Sequence, residues 1–79
     1  MDAIEAVIRD LPGESERIRR LFWRNPDFRT ICEDYRDCLE AAARFGSADP
    51  PSQARAEEFR QLAADLLAEA AAMVKGDQR

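Results

Sequence analysis

Histidine is missing altogether from this 79-residue chain. With it go the commonest metal ligand and the usual proton shuttle at neutral pH. Only two cysteines occur, and no N-terminal apolar segment reads as a secretory signal, so a disulfide framework is not expected and a cytoplasmic location is. No stretch approaches the roughly 18 consecutive apolar residues of a membrane-spanning helix. Valine, threonine, tyrosine and isoleucine are sparse and never alternate, which argues against strands. There is no glycine-rich phosphate loop and no nucleophile placed beside a base, so no enzyme activity is expected. Lysine is nearly absent too. Lys75 is the single one, and arginine carries almost all the positive charge. The net charge of −4 weighs against nucleic acid as the main partner.

What the chain does contain is helix-forming: alanine, leucine, arginine and glutamate dominate. The reading is an all-α single domain over 1–79. A short helix over about 2–10 places Ile4, Val7, Ile8 and Leu11 on one stripe, with Asp2 as N-cap. Pro12 and Gly13 interrupt it. A second helix over about 14–24 has Glu14 and Glu16 in its first turn and Ile18, Leu21 and Phe22 on one face. Asn25-Pro26 then reads as a new start, because asparagine caps well and proline suits the first helical position. The chain bends there.

Two long helices follow, over about 26–45 and 53–75, joined by the short turn "SADPPS" as an antiparallel hairpin. The first carries a seam of Phe28, Ile31, Tyr35, Cys38, Ala42 and Phe45, flanked by Cys32 and Leu39, and Gly46 is read as its C′ glycine. The second carries Phe59, Ala63, Leu66, Ala70 and Met73, flanked by Leu62, Leu67 and Val74. The tail "GDQR" is expected to fray. Both stripes are wider than a two-helix seam needs. A chain this small is also marginal alone. The expectation is that the short helices, or a second copy in a twofold dimer, cover the surplus and complete a helical bundle.

The stretch "LFWRNPDFRTICEDYRDCLEAA" resembles the small bacterial helical-hairpin proteins of the YdcH-like kind, over roughly residues 18–75 and chiefly through Asn25, Pro26, Phe28 and Tyr35. Those proteins tend to have a lysine-rich second helix, whereas this one is alanine-rich and mildly acidic. The resemblance implies a hairpin fold and carries no activity with it.

Candidate sites are few. Cys32 and Cys38 are separated by about 9 Å of rise and about 240° of rotation on one helix, so they cannot join within it. No zinc-like spacing surrounds them, and they read as small core residues, with neither a metal site nor a cofactor expected. On a symmetry axis, Cys38 would be placed to cross-link two chains. Glu33, Asp34, Asp37, Glu57 and Glu58 fall on polar faces and are not expected to act as acid–base pairs. The surface cluster to watch is Arg17, Arg19, Arg20 and Arg24 with Phe22 and Trp23. Arginines beside aromatics can grip phosphates and stack on bases. The plainer reading pairs them with Glu33, Asp34, Asp37 and Glu40. Trp23 is either a partner anchor or a lid over the bend at Asn25, the second being preferred. Arg17, Arg20, Phe22, Trp23 and Arg24 are therefore the candidate partner-binding residues. Two functions compete: an interaction or scaffold module that self-associates through apolar helix faces, and a small nucleic-acid-associated regulator acting through the arginines at 17–24.

Overall fold

Four helices and no strand occur among residues 2–77, the part of the chain that the computed structural model describes. They are α1 (Ala3–Asp10), α2 (Ser15–Arg24), α3 (Pro26–Gly46) and α4 (Gln53–Gly76). The all-α hairpin with two short N-terminal helices is therefore as expected. None of the helices is long and apolar enough to cross a membrane.

Asn25 makes the sharpest joint. Its backbone N–H closes α2 on the Leu21 carbonyl at 2.8 Å. Its side-chain oxygen accepts from the backbone N–H groups of Asp27 and Phe28, at 2.9 and 3.2 Å, and so caps α3. Its extended backbone, φ −122° and ψ 108°, is what a residue before proline is pushed to adopt. One residue thus ends one helix and starts the next. Arg29 completes the joint by donating to the Phe22 carbonyl at 2.8 Å, one of the carbonyls that the last turn of α2 leaves open.

Helices of eight and ten residues fall below the roughly 12–15 that persist alone in water. Packing must hold them. Ile4 and Val7 of α1 and Ile18, Leu21 and Phe22 of α2 are buried against Phe28, Cys32 and Tyr35 of α3 and Ala70 and Val74 of α4. Each large aliphatic side chain buried this way stabilises by about 1.5–3 kcal/mol. Together they cover one side of the hairpin, near its open end. The molecule is elongated, 48 × 22 × 19 Å. At the far end Phe45 and Phe59 stack, centroids 5.6 Å apart.

The seam between α3 and α4 keeps part of the expected set: Phe28, Tyr35 and Ala42 on α3 and Ala63 and Ala70 on α4 are buried as expected. On α4 Ala56 joins them, so that Ala56, Ala63 and Ala70 recur at every seventh residue and are at most 3 % exposed. Phe59, Leu66 and Met73, expected in the seam, are only half-buried. Alanine wins the central line because small side chains let helix axes approach toward the short end of the usual range of about 8–10 Å. Near the tip a Cβ on Gly46 would stand 3.9 Å from that of Ala56. On α3, Cys32 is fully buried and Ile31 and Cys38 only partly so. Cys32 belongs to the core that residues of α1 and α2 complete.

Smaller expectations also change. Gly46 is the last residue of α3, not a left-handed C′ residue. The only glycine with positive φ is Gly13, at 88°, in the turn where an interruption was expected. Glu14 precedes α2 as its cap position instead of lying in its first turn. The tail is tied as far as Asp77, which caps α4 and forms an ion pair with Arg24, while residues 78 and 79 lie outside the described part.

Tyr35 is the polar exception in the core. It is 4 % exposed, and its hydroxyl donates to the Asp10 carboxylate at 2.5 Å, latching the end of α1 to α3. Burial, and then the bond to Asp10, push its pKa up to about 12. Arg9, donating to the same carboxylate, holds Asp10 below its ordinary value. Tyr35 therefore contributes stability that is complete below its ordinary value of 10.0 and lost as pH climbs towards about 12. Asp10 contributes above its ordinary value of 3.8, and that part is lost as pH falls through its lowered folded value.

Tyr35→Phe should cost about 1 kcal/mol at neutral pH, or about 4–8 °C in Tm for a domain this size, and should flatten the loss of stability above pH 10. Thermal melts across pH check it; an unchanged alkaline limb would rule out the latch. Ala63→Leu should overpack the seam and lose about 1–3 kcal/mol. Ala64→Leu, on the exposed side, should stay within about 0.5 kcal/mol. Urea titration compares the two.

Candidate interaction surfaces

The outer face of α2 is the first surface. Ile18, Leu21 and Phe22 turn inward, so at about 100° per residue Arg19, Arg20 and Trp23 turn outward. Trp23 is 75 % exposed. It touches Phe22 edge-on, ring centroids 5.2 Å apart at 82°, and otherwise stands in solvent. It is not a lid over the Asn25 bend, because that joint is closed by Asn25 and Arg29 themselves. Phe22, counted with the candidate binding residues, is only 7 % exposed and belongs to the core. Arg17 pairs with Glu14 at 3.3 Å and Arg24 with Asp77. For Arg17 and Arg24 these partners stand where carboxylates of α3 were expected. Asp37 pairs within α3, with Arg36 at 2.9 Å.

The second surface was not assembled from the sequence. On the side of the hairpin that α1 and α2 leave open, α3 and α4 enclose a groove of about 550 Å³. Cys38, Ala41, Phe59, Leu62 and Leu66 make its apolar floor and wall. Asp34 and Asp37 stand on the α3 rim, Asp65 and Glu69 on the α4 rim, and Arg44 is the only cation lining it. Because the helices are antiparallel, the four carboxylates gather at one end and Arg44 lies towards the other. Asp65 accepts a hydrogen bond from Gln61 at 3.2 Å. Of the three surplus leucines, Leu39 and Leu67 pack against the core, while Leu62 is 51 % exposed. The signal for this groove was present in the sequence as the excess width of both stripes. Which side the short helices would cover was not.

Both cysteines are free thiols. Burial first, then Glu33, push Cys32 up to about 12. Cys38 is raised by burial and by Asp34 and Asp37 beside it. Both are thiols, not thiolates, at neutral pH, and the thiolate is the reactive form. Among the described residues no group of three or more cysteines and carboxylates converges to hold an ion.

Fold and surfaces together define the class: a helical hairpin braced on one face and open on the other. No family model, curated protein or solved structure matches the chain.

Cys32 should resist a water-soluble disulfide reagent in the native protein at pH 8, because it is buried and its raised pKa keeps it a thiol. Half-buried Cys38 should react first, and both should react fully in denaturant. A native reaction at both sites with equal rates would contradict the burial of Cys32.

Proposed function

We propose that this protein is an interaction module that works by docking a helix in the groove between α3 and α4. The observation that carries this reading is Leu62. It sits half-exposed at the centre of a continuous apolar floor, on the one face of the hairpin its own helices leave uncovered. An exposed apolar floor with a polar rim is the usual make-up of a binding surface. Amphipathic helices commonly lay their apolar side into such grooves.

Self-association is one form this could take, with two hairpins closing groove on groove as a four-helix core. The rim counts against that form. Each copy would bring Asp34, Asp37, Asp65 and Glu69 to the contact against a single Arg44, and like charges brought together across an interface disfavour it. The nucleic-acid reading gains little support from α2. Two of its arginines are matched by carboxylates, leaving Arg19, Arg20 and Trp23 as a small basic surface on a chain of net charge −4.

A neutral solvatochromic dye tests the reading directly. Nile red should brighten on the wild-type protein and much less on Leu62→Gln, whose helical circular dichroism should be unchanged because Leu62 contributes little to the core. Equal brightening on both proteins would show that the groove is not the apolar binding surface.

A further inference from the structure

The charges on the groove say more than its apolar floor does. We propose that its occupant is a basic amphipathic helix from a partner protein, with apolar anchors on Leu62 and Leu66 and arginine or lysine side chains against Asp34 and Glu69. This rests on the docking reading above and adds the partner's chemistry to it.

Length comes first. The groove is lined from Asp34 to Arg44 on α3 and from Phe59 to Glu69 on α4. Each rim therefore rises by about 15 Å, or roughly three turns of helix. A docked helix of about that length presents apolar residues at i, i+3 or i+4, and i+7 to the floor.

Charge comes second. Among the described residues no arginine or lysine forms an ion pair with Asp34, Asp65 or Glu69. Three of the four rim carboxylates thus keep their charge for a ligand, and Cys38 between them is held further as a thiol by the field of Asp34 and Asp37. Cations along the flanks of the incoming helix complete the rim, and their density is greatest at the carboxylate end. Arg44 at the other end favours a neutral or acidic residue there. Electrostatic matching of this kind sets orientation and speeds encounter more than it adds affinity.

A second copy fits less well than a partner. The only basic helix the chain offers from its own surface is α2. Its row of apolar residues, Ile18, Leu21 and Phe22, is already buried in its own core. Trp23 alone is left as an anchor, where the floor asks for a row.

The experiment is fluorescence anisotropy on the intact chain with a labelled synthetic helix of about four turns. It carries leucines at i, i+3, i+4 and i+7 and arginines on both flanks. Control peptides replace the arginines by glutamine, replace them by glutamate, or keep the arginines and scramble the leucine spacing. The basic amphipathic peptide should bind, should weaken with salt, and should lose about fivefold in affinity on the Asp34→Asn, Glu69→Gln double variant, as two rim ion pairs imply. It should also weaken on Leu62→Gln, and the glutamate peptide should not bind. Equal binding of the glutamine peptide would overturn the charge inference while leaving the docking reading intact. Equal binding of the scrambled peptide would overturn it in favour of diffuse attraction. If no peptide binds although Nile red still senses Leu62, the partner chemistry is wrong; if the dye fails too, both readings fall. A concentration-dependent rise in mass by sedimentation, abolished by Leu62→Gln, would name a second copy as the occupant and overturn the partner proposal.

Discussion

Two helices packed side by side have two flanking faces, and α1 and α2 pack on one of them. That one-sided packing governs the rest. α1 and α2 together contribute 18 helical residues, too short to stand alone, and they exist as helices because one side of the hairpin supplies the apolar surface that holds them. Covering that side stabilises the fold. Leaving the other side open leaves Leu62 and its neighbours in contact with water. Structural support and the proposed binding surface are thus the two faces of one hairpin, and the alanine seam between them packs α3 against α4.

Charge is divided in the same way. The arginines of α2 stand on the braced side, where Glu14 and Asp77 meet two of them. The carboxylates of the open side have fewer such matches. Asp37 has Arg36 beside it, but the remaining rim charges stand along the groove with Arg44 as the only lining cation. A net charge of −4 read from composition treats the surface as uniform. Folding sorts it into a basic face whose arginines are partly matched by carboxylates and an acidic one.

Much of the fold was legible because it depends on neighbours in sequence. Asp2 and Asn25 cap as expected, since a cap is settled within three or four residues. The bend at Asn25-Pro26 follows from the covalent geometry of proline. The α2 stripe and Ile4 and Val7 of α1 are buried as the helical period implies, with Ile8 and Leu11 only partly buried against them. Where the reading went astray, the deciding contact was remote in sequence. Cys32 was placed beside the seam because α1 was not yet there to bury it. On α4 the expected Ala63 and Ala70 do form the seam, and Ala56 joins them, while the spacing that also admits Phe59 and Leu66 does not fix how deeply each is buried. Trp23 is a local exception: Asn25 and Arg29 close the joint beside it, and it stands exposed.

The sequence alone determined which segments are helical, where they start and bend, and that their apolar stripes exceed what one pair of helices can hide. These are matters of short-range geometry and of area. Only the tertiary structure decided which flank α1 and α2 cover, that Tyr35 reaches Asp10 from 25 residues away, and that four carboxylates from two helices gather around one apolar groove. Those depend on how rods are placed side by side, and a periodicity fixes the directions of side chains around an axis without fixing what lies across from them.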